Sequence, residues 1–134
     1  MIFGIGCDIV QVARFNRGGS FIQRFIAKHM TAAEQEEFQS LLKGKNEQSI
    51  ILSVAARFAG KEAVAKALGS GFQGGITLKD IEITHDELGC PHVRLYKKAL
   101  LRAYQVSHEQ QFKIHITLSN EKEYANAVAV FESV

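Results

Sequence analysis

The chain is short of the features that would place it in several common classes. It has only two cysteines, Cys7 and Cys90, too few for a disulfide framework. No apolar run approaches the roughly 20 residues needed to span a bilayer, so no membrane attachment is expected. Met1-Ile-Phe-Gly lacks a basic segment followed by a long apolar one, so no export signal is expected. Two reduced thiols in a cytoplasmic protein is the plain reading. There is one proline, no low-complexity tract and no internal repeat. Between Ile9 and Ala33 there is no acidic residue at all, while Arg14, Arg17, Arg24 and Lys28 all fall there.

That last absence shapes the charge. The net charge is only +2, so this is a local basic patch on a nearly neutral protein. It suits an acidic protein partner better than nucleic acid, which usually needs a broader basic surface. A plain solvated face is the competing reading.

What is present fits one α+β domain over residues 1–134, with 46% hydrophobic residues for its core. Ile2 to Val12 reads as a strand. Its odd positions Phe3, Ile5, Cys7 and Ile9 are apolar, and its even positions put Asp8 on one face with Gly4 and Gly6. Glycines in a strand mark close approach by a ligand or another backbone. Ser20 to His29 is a short helix, and Thr31-Ala-Ala-Glu34 is a capping box opening another through about Leu42. Lys43 to Glu47 is a polar loop. Ser49 to Leu68 is a long helix, stopped by Gly69-Ser-Gly71 and Gly74-Gly75. Ile81–Thr84 and His92–Tyr96 read as strands around a turn, Lys97–Tyr104 as a helix, and Phe112–Leu118 and Tyr124–Phe131 as a final pair of strands. The expected fold is an antiparallel sheet with the long helix packed on it.

Two carboxylates stand out in apolar company. With Ile51 at zero on a helical wheel of about 100° per residue, Val54, Ala55, Phe58 and Ala65 lie within roughly 60° of it, and Glu62 falls at about 20°. An ionised carboxylate there is costly unless paired or bound to a cation. Lys66, four residues on, offers a structural Glu62–Lys66 bridge. Asp8, flanked by glycines, offers a second carboxylate, and two such acids suit a shared hard divalent cation such as magnesium. Both readings stand at this level. The five histidines are read as scattered and neither cysteine as having a partner two residues away, so no zinc pattern is expected. The Gly69–Gly75 stretch lacks the Gly-Lys-Ser/Thr of a P-loop.

The segment Arg57-Phe-Ala-Gly-Lys-Glu-Ala-Val-Ala-Lys-Ala67 resembles the diagnostic helix of the 4′-phosphopantetheinyl transferases, aromatic-x-x-Lys-Glu-Ala-x-x-Lys-Ala. Gly6-Cys-Asp8 resembles their Gly-x-Asp strand, Gly89-Cys-Pro91 their Gly-x-Pro, and Leu118-Ser-Asn120 stands where Leu-Ser-His is usual. Order and spacing resemble the short bacterial type, the holo-acyl-carrier-protein synthases, almost end to end. The resemblance implies transfer of the 4′-phosphopantetheine arm of coenzyme A to a serine of apo acyl carrier protein, for fatty acid biosynthesis, with release of adenosine 3′,5′-bisphosphate. It implies Asp8 and Glu62 as magnesium ligands. It leaves the base open among Glu62, Lys66 and a metal-bound water. It maps Lys43, Lys45, Arg57, Lys61, Gly71, Pro91, Ser119 and Asn120 onto the coenzyme-binding surface. It assigns Arg14, Arg17, Arg24 and Lys28 to docking an acidic carrier, and implies a homotrimer with sites between subunits. Asn120 departs from the pattern: an amide can donate to a phosphate but carries no proton in this pH range. Position 120 is therefore expected to bind rather than to do acid–base chemistry. A non-catalytic or weakly active carrier-binding module is the alternative.

Overall fold

In the computed structural model, residues 1–134 are described, the side chains of Leu41 and Leu42 excepted. The elements run β1 (Ile2–Gln11), α1 (Phe21–His29), α2 (Ala32–Leu42), α3 (Glu47–Ala67), β2 (Ile81–His85), β3 (Pro91–Leu95), α4 (Lys97–Val106), β4 (Phe112–Asn120) and β5 (Tyr124–Ser133). A 3-10 turn over Val12–Phe15 follows β1. The strands form two antiparallel sheets, one in the order β1-β5-β4 and a separate β2-β3 hairpin. This is the expected α+β arrangement, with the sheet divided in two.

The helix ends follow their side chains. Thr31 Oγ1 accepts from Glu34 N, and Glu34 Oε1 accepts from Thr31 N at 2.8 Å, closing the predicted capping box. Helix α3 starts two residues before the expected Ser49, because Asn46 Oδ1 accepts from Ser49 N at 2.9 Å and caps it. Its far end gives way to Gly69 at φ +81°.

Helix α3 is the core. It is buried on nearly every side, with Ile51, Val54, Ala55, Ala59, Ala63 and Val64 almost inaccessible. Both sheets and α2 lie against it. The small residues on α3 let strands come close. At Gly6 of β1 a Cβ would collide with the Ala63 carbonyl oxygen, and at Gly4 with that of Ala67. The glycines of β1 are thus occupied by helix backbone, not by ligand space. This settles which face of β1 points inward: the Gly4-Gly6-Asp8-Val10 face meets α3, and apolar Ile5 and Ile9 stand 69% and 65% exposed.

Candidate active site

The close β1–α3 crossing brings the two acids to one place. Asp8 follows Gly6 on the helix-facing side of β1, opposite Ala127 of β5. Lys66 lies near the end of α3 and reaches back across the strand. Its Nζ donates to Cys7 O at 2.9 Å and to Asp8 Oδ1 at 3.1 Å. Glu62 sits one turn earlier on α3, half-buried. Burial pushes its carboxyl above the usual range and the Asp8 charge pushes it the same way, against the opposing pull of Lys66 and Arg14. The i,i+4 Glu62–Lys66 bridge considered from the sequence is not formed; the ammonium is on Asp8 instead. Two neighbouring carboxylates at a partly open edge, each with oxygen donors only, form a set that suits a hard divalent cation.

Arg14 is the residue of the basic stretch that reaches this edge. Arg14, on the 3-10 turn after β1, lies over the Phe58 ring at 5.3 Å and close enough to Glu62 to affect its charge. Arg17 lies over Phe21 at 4.9 Å, and Arg24 Nη1 donates to Ser20 Oγ at 2.7 Å. Lys28 is exposed near the end of α1. Phe15 meets Phe25 and Phe58 edge to face, with ring centroids 5.2 and 5.4 Å apart, fixing α1 and the 3-10 turn against α3.

The residues expected at the coenzyme divide into groups. Arg57, Ser119 and Asn120 line one open groove of about 390 Å³, together with His85. Asn120 also borders a larger groove of about 840 Å³, and its Nδ2 donates to Leu52 O at 3.4 Å. Neither groove is lined by Asp8, Glu62 or Lys66. Gly71 (φ +59°) lies beyond the end of α3, Pro91 opens β3, and Lys43 and Lys45 are exposed after α2. Ser119 and Asn120 also share a further pocket with Ile9, the neighbour of Asp8 on β1.

Lys61 requires a correction. It was expected on the coenzyme surface, yet it is fully buried. Its Nζ donates to Glu34 Oε1 at 2.7 Å and to Leu78 O at 2.9 Å. Helix α3 has no solvent face at that position, so the ammonium is paired inside the core. Arg57 is also committed: it pairs with Glu37 and donates to Ile83 O at 3.1 Å and Ser53 Oγ at 2.7 Å. Sequence reasoning missed Glu34 and Glu37 as partners. Their spacing of three on α2 was the available signal, since it puts both on one helix face.

A family model described as 4′-phosphopantetheinyl transferase superfamily matches residues 4–129. The chain belongs to that superfamily. A holo-[acyl-carrier-protein] synthase of Clostridium beijerinckii is 40% identical over 134 residues, covering the whole of both chains. Among solved structures, Plasmodium yoelii acyl carrier protein synthase with ADP bound is 34% identical with a TM-score of 0.82, covering 100% of this chain and 97% of that one. The holo-(acyl-carrier-protein) synthase of Bacillus anthracis in complex with CoA (3′,5′-ADP) is 30% identical with a TM-score of 0.75, covering 100% and 99%. The phosphopantetheinyl transferase fold expected from the Lys61-Glu-Ala-Val-Ala-Lys66 helix is therefore the observed one.

Proposed function

We propose that this chain is a holo-acyl-carrier-protein synthase, moving the 4′-phosphopantetheine of coenzyme A to a serine of apo acyl carrier protein and releasing adenosine 3′,5′-bisphosphate. The observation that carries the reading is the meeting of Asp8, Glu62 and Lys66 at the β1–α3 crossing, under the Lys-Glu-Ala-x-x-Lys helix. Magnesium, when bound, would neutralise charge on the coenzyme pyrophosphate as the serine forms its new P–O bond and the phosphoanhydride bond to the departing adenosine 3′,5′-bisphosphate breaks. Asp8 and Glu62 would hold it. Lys66 balances the charge of the pair and orients Asp8. Ser119 and Asn120 suit hydrogen bonding to phosphate, and Arg57 shapes the groove beside them while held by Glu37. Lys43, Lys45, Gly71 and Pro91 complete a coenzyme surface assembled between neighbouring copies.

The exposed apolar face of β1 with Val128 of β5 supports a homotrimer of single-domain subunits. Arg14 beside Glu62, with Arg17, Arg24 and Lys28 on the same stretch of chain, would suit an acidic carrier, steering it and orienting its serine. Two unpaired, exposed thiols suit a reducing cytoplasm, where fatty acid synthesis would use the product.

Incubation with coenzyme A, magnesium and apo acyl carrier protein, followed by mass spectrometry of the carrier, tests the reading. A gain of one phosphopantetheine, lost in Asp8→Ala and Glu62→Ala, is expected. Carrier binding without a mass gain would replace transferase with carrier-binding module. Neither binding nor gain would remove both.

A further inference from the structure

The turn between β2 and β3 gathers three side chains of a different chemistry. Asp86 N donates to Cys90 O at 3.0 Å, extending the hairpin register one step beyond His85–Pro91. Asp86 therefore stands opposite Cys90. His92 is two residues further along β3, on the same face of the ribbon as Cys90. A carboxylate, a thiol and an imidazole thus share one side, and one ligand atom from each lies within 4.8 Å of the others. His92 Nε2 is already 3.0 Å from Asp86 Oδ2. Ligand atoms around a tetrahedral zinc with bonds of about 2.0–2.3 Å stand roughly 3.3–3.8 Å apart. Small rotations of exposed side chains would bring all three to that spacing.

The carboxylate is also preset. Asp86 Oδ1 accepts from Leu88 N and Cys90 N, both at 2.9 Å, which leaves Oδ2 directed at the imidazole. A carboxylate ligand held through its other oxygen is the usual second-shell arrangement of a metal site. The donor types decide the cation. A thiolate and an imidazole beside one carboxylate select a borderline or soft divalent ion over magnesium. This separates the turn from the all-oxygen pair Asp8 and Glu62.

We propose that Asp86, Cys90 and His92 form a surface site for zinc or a zinc-like divalent cation, with the fourth position open to water. Binding releases the thiol proton of Cys90 to solvent and takes His92 through Nε2, with the imidazole proton on Nδ1. The site stands on its own geometry and does not depend on the transferase reading.

Cobalt(II) is the probe, added to the full-length protein without coenzyme A, whose thiol would compete. One cobalt per chain with a thiolate-to-metal charge-transfer absorption is expected, unchanged by excess magnesium and displaced by zinc. Cys90→Ser should abolish the absorption, and His92→Ala and Asp86→Ala should each weaken binding by about tenfold or more. Cys7→Ser should leave it intact. All these side chains are exposed, and circular dichroism checks that each variant is folded. Absence of the thiolate band, its survival in Cys90→Ser, or wild-type affinity in both His92→Ala and Asp86→Ala would overturn the site.

Discussion

Lys66 Nζ lies 3.1 Å from Asp8 Oδ1, its partner 58 positions away in the chain, and makes no ion pair with Glu62 one helical turn before it. The ammonium therefore ties strand to helix at the carboxylate pair. Lys66→Met should leave Asp8 without its ion-pair partner and Glu62 with only Arg14 to oppose the repulsion between the two acids. Because Lys66 is 51% exposed, the fold should tolerate the change. Phosphopantetheine transfer should fall by about 10- to 100-fold, the range seen when a residue supporting a metal ligand is lost. Lys66→Arg should recover part of it. Transfer rates measured at rising magnesium check this; wild-type rates for Lys66→Met would show that the pair needs no cationic partner.

Much of this site was legible in the sequence because two independent periodicities pointed at it. The helical wheel put Glu62 among apolar residues, and strand alternation put Asp8 beside glycines. What those glycines accommodate was not legible. Strand alternation says that Ile5 and Ile9 share a face opposite Gly6 and Asp8, but not which face the core takes. The backbone of α3 takes the glycine face, since only glycine admits the Ala63 and Ala67 carbonyls so closely. Lys61 was placed on the coenzyme surface by the family resemblance, and no local pattern shows that α3 has almost no wet side there, so that its ammonium ends in the core. The division of the strands into two sheets was also hidden, because hairpin signals fix neighbours and not sheet membership.

The buried Lys61–Glu34 pair sets a second expectation. Both side chains are 0% exposed, and Glu34 Oε2 also accepts from Ile83 N at 2.9 Å, so the pair joins α2, α3 and β2. Lys61→Met removes the cation and strands a charged carboxylate in the core. That should cost about 3–5 kcal/mol, the usual penalty for breaking a buried pair from one side. Lys61→Met with Glu34→Gln removes the stranded charge and should be more stable than Lys61→Met alone. Urea unfolding of both variants decides; equal stabilities would mean that Glu34 is not held as an anion.

His29 links stability to acid. Burial lowers its imidazole below the ordinary value of 6.5, and Lys28, Lys61 and Lys79 lower it further. The unfolded chain thus binds the proton more readily than the folded one. The resulting stability is fully present above the ordinary value and is lost as pH falls toward the lower folded value. His29→Gln has no such proton to bind, so its stability should drop less than that of the wild type between about pH 7.5 and about pH 5.5. Paired urea titrations at the two pH values measure the difference. A drop of equal size in both proteins would place the acid sensitivity elsewhere.

The apolar face of β1 leads to the last expectation. Ile5, Ile9 and Val128 are all exposed, and β5 pairs β1 so that Val128 stands beside Cys7, between the two isoleucines. These side chains form one continuous patch on the sheet surface turned away from α3. An apolar patch of this kind marks an interaction surface, and the grooves lined by Asn120 include neither Asp8 nor Glu62 within one chain. A neighbouring copy seated on the patch answers both observations. Ile5→Lys with Ile9→Lys should convert the proposed trimer to monomer, because each new ammonium would have to be buried unpaired at the contact. Neither residue packs in the subunit core, so the monomer should remain folded. Analytical ultracentrifugation and circular dichroism read the two effects separately. On the proposed trimer, transfer should be lost with assembly, while carrier binding through the proposed Arg14–Lys28 patch weakens far less. A folded monomer with full transfer activity would mean that one chain suffices for the site.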